Sequence, residues 1–311
     1  MNLFLINGVN LKILITGTRG FLGGRIASFL NNKSGFNLVS LSRNKKFDLK
    51  KKDSKTKKNL EKLFKGVDVV INCIGHDMNK SINKSETNFV NSSIPSLIYN
   101  ISNKAGVKYF FYISTYHIYD FTKKINENSN IIPKNLYTRS KILGEKKVLK
   151  NIKKTKLVIL RLCNLFGYPV YPNKNSNKLL LNYIISRIAQ KKTIKIKSKY
   201  DEYRHYSSME TFNFYLHKIL KNLRKIKFDK GYVIYNYFTD KCFRISQLEN
   251  LFKKKGILGK KNKIVFKFKH KKLKKGKKIF ISSFDKLFLP QRDYKFANEI
   301  KKTFNYYKNL K

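Results

Sequence analysis

The chain has 311 residues, enough for one large domain or for two joined ones. Apolar residues make up 41% and include 24 Phe and 19 Tyr, which excludes a disordered chain even at 28% charged residues. The formal charge of +51 would ordinarily point to nucleic acid or an anionic membrane, but only ten of the 69 basic residues are Arg, whose planar fork favours bases and phosphates. With no Trp and five Pro, and with Asn, Ile, Phe and Tyr abundant, the lysine excess reads as compositional bias rather than as a binding surface.

In chain order, the leading MNLFLINGVN lacks a basic start and a small-residue cleavage site, so it is a poor signal peptide. Apolar β-branched runs then alternate with helical patterns, the sign of βαβ units around a parallel sheet buried on both faces. Strands are predicted at 12–16, 37–41, 68–74, 109–114 and 157–162, with helices near 21–32, 55–65, 85–105 and 137–151. From Asn164 the alternation breaks down: helices at 176–191 and 207–223, short strands IKIK and VIYNYF, and a helix in ISQLENLFKKK capped by Ser246. The fold class is therefore α/β, a Rossmann-type doubly wound parallel sheet over 1–163 that takes a further strand near 232–238. A smaller α/β region covers 164–311. Lys-rich stretches at 45–58 and 266–278 read as solvated loops or an edge hairpin. Cys73, Cys163 and Cys242 are odd in number and widely spaced, which indicates neither disulfides nor a metal site and fits a cytoplasmic setting. No apolar run reaches the roughly 18 residues of a membrane span.

Two motifs carry chemistry. ILITGTRGFLGG sets Gly17, Gly20 and Gly23 between the first strand and the helix opened by Phe21 and Leu22. A strand entering such a turn lets the backbone approach a pyrophosphate, and the helix N-terminus supplies free N–H groups and a favourable dipole. The second strand ends in Ser42 and Arg43 where an acid usually meets the ribose of NAD, which leaves both NAD and NADP open. In NLYTRSKILGE, Tyr137 and Lys141 stand four residues apart on one helix face. An ammonium beside a phenol favours the phenolate, and such a phenol can exchange a proton with a hydroxyl while hydride moves. The fourth strand delivers Ser114 and Thr115 to the carboxyl edge of the sheet, where doubly wound folds bind ligands.

Over roughly 12–285 the sequence resembles the extended short-chain dehydrogenases, the NAD-dependent epimerase/dehydratase family that holds UDP-glucose 4-epimerase and 4-keto-sugar nucleotide reductases. The glycine loop, DVVINCIG, ISTYHIY, YTRSK and LRLCNLFG carry the likeness. It implies Tyr137 as general acid/base, Lys141 as the residue that holds the ribose and tunes it, and Thr115 as the hydroxyl partner four residues before Tyr119. It also implies Asp48 at the adenine, Cys73, Ile74 and Gly75 under the nicotinamide half, and Asn164 and Arg204 at the sugar nucleotide. The family's Arg-Asp-x-x-His-Val pattern diverges here into Arg204, His205, Tyr206, Ser207, Ser208 and Met209. Tyr116 and His117 follow Thr115 where dehydratases carry Asp-Glu, which leaves epimerisation or reduction. His117 reads as a structural residue. The resemblance implies a sugar-nucleotide substrate and suggests a homodimer through helices 85–105 and 137–151; the cysteine spacing speaks against a metal and the scarcity of Arg against nucleic acid. The competing reading is a catalytically retired fold serving as a regulatory or RNA-binding subunit.

Overall fold

The computed structural model of the chain describes residues 10–42, 54–119, 124–172, 176–259, 263–270, 279–280 and 292–310. The chain divides into two compact units. The first takes Met1–Ser114, Lys134–Leu160 and His217–Ile234; the second takes Thr115–Pro133, Arg161–Leu216 and Tyr235–Lys311.

The chain runs β1 (Leu11–Thr16), α1 (Phe21–Asn31), β2 (Phe36–Leu41), α2 (Ser54–Phe64), β3 (Val69–Asn72), α3 (Lys84–Asn88), α4 (Ile94–Lys104) and β4 (Tyr109–Thr115). It continues through β5 (Lys124–Ile125), α5 (Leu136–Lys150), β6 (Lys156–Leu162), β7 (Asn164–Phe166), α6 (Leu180–Ala189), β8 (Ile194–Ser198), β9 (Tyr203–Ser208) and α7 (Met209–Lys221). The last elements are β10 (Tyr232–Tyr237), β11 (Cys242–Arg244), α8 (Leu248–Lys254), β12 (Ile264–Phe268), β13 (Ile279–Phe280) and α9 (Phe296–Asn309).

The main sheet has the order β10-β6-β4-β3-β1-β2, and β1 pairs in parallel with β2 on one side and β3 on the other. Strand order reverses direction at β1, so the crevice past its carboxyl end is the topological switch point. Burial explains why these runs are strands: all four residues of β3 and the last six of β4 are buried, as a sheet covered on both faces requires. Leu14, Val70, Phe110, Ile159, Ile98 and Tyr99 meet in one core.

The second unit has a core of its own, built on Phe166, Ile184, Tyr206, Leu248, Phe252 and Tyr307. Here β9 pairs with β11 antiparallel and with β7 in parallel, and β12 pairs in parallel with β8.

Several sequence expectations are corrected. Residues 89–93 wind as a π-helix between α3 and α4, with Pro95 near the start of α4. The helix expected at 207–223 begins at Met209, because Ser207 and Ser208 stay in β9. Ser246 does not cap α8: its hydroxyl donates to Asp201 Oδ2 (2.7 Å) and its N–H to Oδ1 (3.1 Å), and Gln247 takes the cap position. Strands β7, β9 and β11 and helix α9 were not among the expected elements. In 266–278 the residues up to Phe268 belong to β12, a parallel partner of β8 rather than an arm of a hairpin with it; 271–278 lie outside the described residues.

Candidate active site

The carboxyl ends of β1 and β3 are tied together by side chains. Thr16 Oγ1 donates to Asn72 Oδ1 (2.9 Å) and accepts from the Cys73 N–H (3.1 Å). The glycine loop begins at this knot. Gly17 adopts φ +68°, and a Cβ there would come within 3.1–3.2 Å of the Cys73 and Ile74 backbone, so the left-handed turn and the close approach both require glycine. A Cβ on Gly23 would press into the Gly17 carbonyl, so α1 can pack this closely only without a side chain at that position. Gly20 is the N-cap of α1; no side chain caps it and no acid lies in the first turn. The amides of Phe21, Leu22 and Gly23 thus stand at the positive end of the helix with no built-in anion, a fitting cradle for a diphosphate. Gly20 and Gly23 thus pack against Gly17, and Gly17 against Cys73 and Ile74, with Phe21 and Leu22 opening the helix between them. Arg43 and Asp48 lie outside the described residues.

Helix α5 carries the next part. Asn135 caps it by accepting from the Thr138 N–H (2.9 Å), while Thr138 Oγ1 accepts from the Asn135 N–H (3.2 Å). This box starts the helix at Leu136 and fixes Tyr137 in its first turn, half-buried, with Lys141 one turn on. Lys141 is 6% exposed; its Nζ donates to the Ile113 carbonyl (3.0 Å) and lies 5.6 Å from the centre of the Tyr112 ring. Burial lowers its pKa to about 8, against the opposing pull of Cys73 and Glu145. Burial pushes the Cys73 thiol up to about 12, with Lys141 acting the other way. A Cβ on Gly75 would lie 3.0 Å from Lys141 Nζ, so the amine borders the segment that follows β3.

Two residues that sequence reasoning missed hold this arrangement. Asn91 accepts from the His76 N–H (2.7 Å) and donates to the His76 carbonyl (3.2 Å) and to Ser140 Oγ (2.9 Å). Its partners are 15 and 49 residues away, and no local pattern could reveal them. Glu145, buried at 3%, accepts from the Ser114 hydroxyl. Its signal was its place four residues after Lys141, on the same helix face.

In the second unit Thr115 is buried, and its Oγ1 accepts only the His117 N–H (3.3 Å) among the described residues. Its own hydrogen is thereby left for another acceptor. Asn164 is engaged on every side: Nδ2 donates to Tyr116 OH and the His205 carbonyl (both 2.8 Å), and Oδ1 meets His117 Nε2 at 3.1 Å. Burial raises the Tyr116 phenol well above its ordinary range, although Arg204 acts in the opposite direction. Arg204 pairs with Glu202 (3.0 Å), and although burial disfavours its charge, Tyr206, Glu202 and Tyr116 hold its pKa above the ordinary value. None of the three cysteines forms a disulfide. Among the described residues no group of three His, Cys, Asp or Glu could hold a metal, and no helix is long and apolar enough to cross a membrane.

A parallel sheet with a glycine loop at its switch point, beside a helix bearing Tyr and Lys one turn apart, defines a Rossmann-type protein of the short-chain dehydrogenase kind. The NAD dependent epimerase/dehydratase family model matches residues 13–234, most of the chain, and the protein belongs to that family. Solved structures of similar fold include the UDP-N-acetylglucosamine 4-epimerase of Methanobrevibacter ruminantium M1, with TM-score 0.76, 16% identity and coverage of 96% of this chain and 98% of that one. The UDP-glucose 4-epimerase of Thermotoga maritima gives 0.74 and 18%, covering 96% and 98%. A dTDP-4-dehydrorhamnose reductase from Clostridium acetobutylicum gives 0.67 and 18%, covering 93% and 97%. At these identities the likeness is one of fold. No curated protein sequence matches the chain. The reading as a regulatory or RNA-binding subunit gains no support from the family or the fold.

Proposed function

We propose that the protein is an NAD(P)-dependent sugar-nucleotide epimerase or 4-keto-sugar reductase in which Tyr137 is the general acid/base. One observation carries the reading: the buried Lys141 amine, one turn from Tyr137, borders Gly75 and so joins the catalytic helix to the crevice of the glycine loop. Gly17, Gly20, Phe21, Leu22 and Gly23 would hold the diphosphate of the dinucleotide, and Cys73, Ile74 and Gly75 its nicotinamide half. Arg43 and Asp48 serve its adenosine end. When bound, the cofactor supplies the hydride acceptor and donor.

Lys141 holds the ribose hydroxyls and keeps positive charge near Tyr137, which lowers the cost of the phenolate. Tyr137 takes the proton of the reacting sugar hydroxyl and returns it. Thr115 is the hydroxyl partner in this reading. Asn164 and Arg204 contact the nucleotide part of the substrate. Elimination of water needs a further acid and base after Thr115, whereas Tyr116 and His117 are both engaged with the Asn164 side chain. That arrangement favours epimerisation or reduction over dehydration.

The test is a panel of UDP- and dTDP-sugars with NAD or NADP, products being read by NMR. An epimerase interconverts two sugars with no net change in reduced cofactor; a reductase consumes it stoichiometrically with a 4-keto sugar. Tyr137→Phe is expected to lower kcat by roughly 10²–10⁴-fold with its circular dichroism unchanged. Undiminished turnover in that variant rules the assignment out.

A further inference from the structure

Three consecutive residues of β4 are tied to helix α5. The Tyr112 hydroxyl lies 3.2 Å from the Lys141 carbonyl and 2.9 Å from that of Asn91, donating its one hydrogen between them. The Ile113 carbonyl accepts from Lys141 Nζ (3.0 Å), and Ser114 Oγ donates to Glu145 Oε1. Gly144 permits the approach, since a Cβ there would collide with the Tyr112 hydroxyl and the Asn91 carbonyl. Ser114 immediately precedes Thr115, and Lys141 and Glu145 stand one turn apart on one face of α5.

We propose that Glu145 is a positioning residue of the active site. Its buried carboxylate grips the Ser114 hydroxyl, and so the strand end from which Thr115 follows, while balancing the charge of Lys141 one turn earlier. The inference rests on the Tyr137/Lys141 reading given above. A buried ammonium is costly unless an opposite charge is near. The groups facing Lys141 are the Cys73 thiol after β3, the Tyr112 ring and the Ile113 carbonyl of β4, and Glu145 on its own helix. Of these, Glu145 is the carboxylate. The same side chain thus serves geometry and charge, and the two roles can be separated.

Glu145→Gln keeps an oxygen that can accept from Ser114 but loses the charge; Ser114→Ala loses the hydroxyl and keeps the charge. With a sugar nucleotide that the wild type turns over, Glu145→Gln is expected to move the alkaline limb of the kcat–pH profile down by about one unit, as loss of one nearby opposite charge implies. Ser114→Ala is expected to lower kcat about tenfold at every pH with the limb in place, in line with a displaced catalytic group. Glu145→Asp retains the charge on a shorter arm, so it keeps the limb and loses kcat; it also serves if the Gln variant does not fold. A second readout needs no turnover: the pH dependence of Lys141 acetylation by acetic anhydride, followed by peptide mass spectrometry, with a lower midpoint in Glu145→Gln. An unmoved midpoint overturns the proposal. A moved midpoint in a protein that turns over no sugar nucleotide overturns the enzymatic reading and leaves the pairing of Glu145 with Lys141 standing. A Ser114→Ala variant with full kcat overturns the positioning of the strand end.

Discussion

The two units hold their polar groups in different ways. In the first, the ties at the site join strand ends and a helix through residues beside recognisable motifs: Thr16 to Asn72, Lys141 to Ile113, Ser114 to Glu145. In the second, buried polar residues far apart in sequence form extended networks. Asp293 accepts from the Ser208 N–H (2.7 Å) and hydroxyl (2.9 Å) and from the Thr211 hydroxyl, 82 to 85 residues away. Arg161 donates to the Tyr119 hydroxyl, which donates to Asn236 Oδ1 (2.8 Å) 117 residues on, and the Asn236 N–H returns to Glu127 Oε1 (2.8 Å). The difference teaches that one unit depends on the space left by glycines and the other on the completeness of its buried networks.

The largest effect on stability should come from breaking a network. Asp293→Ala leaves the Ser208 N–H and the Thr211 hydroxyl buried without their acceptor and is expected to destabilise the protein by about 3 kcal/mol in urea titration. Gly23→Ala tests the other side of the contrast. Its new methyl group must displace the Gly17 carbonyl, at about 2 kcal/mol of overpacking, together with weaker NAD binding in calorimetry. If Gly23→Ala proves neutral while NAD affinity holds, the contrast between the units fails.

A third measurement sharpens the contrast through pH. The Lys141 pKa falls from 10.5 to about 8 on folding, so between those values the unfolded chain binds a proton that the folded one does not. Stability therefore rises with pH across that window, and below pH 8 the full burial cost of the charge is present. The stability of the wild type relative to Lys141→Met should accordingly rise by roughly 3 kcal/mol between pH 7 and pH 10.5 in parallel thermal melts. A difference that stays flat with pH refutes the buried charge. The smallest effect belongs to the surface. Lys108, 68% exposed, pairs with Asp68 at 2.8 Å, and Lys108→Ala should change stability by less than about 1 kcal/mol. Burial alone would raise the Asp68 carboxyl, but Lys108 and Lys12 hold it below its ordinary value.

How much was legible follows the same division. Gly17, Gly20 and Gly23, with Tyr137 and Lys141, stood out as candidates because each pattern lies within one turn or one loop. The strands of the first unit could be read because burial on both faces imposes unbroken apolar runs. By contrast, β9 reads YRHYSS, a strand whose last four residues are buried although three of them are polar or charged types, and only its pairing with β7 and β11 makes it a strand. Ser246 looked like a helix cap and instead serves Asp201, 45 residues away.

By itself the sequence determined the α/β class, the glycine loop and the Tyr/Lys helix, since periodicity, glycine spacing and the helical turn are local properties of a chain. Only the tertiary structure decided what surrounds Lys141. Its burial, its bond to Ile113 and the carboxylate of Glu145 against Ser114 arise where strand and helix separated in sequence are packed together, and desolvation and charge pairing there depend on distance in space.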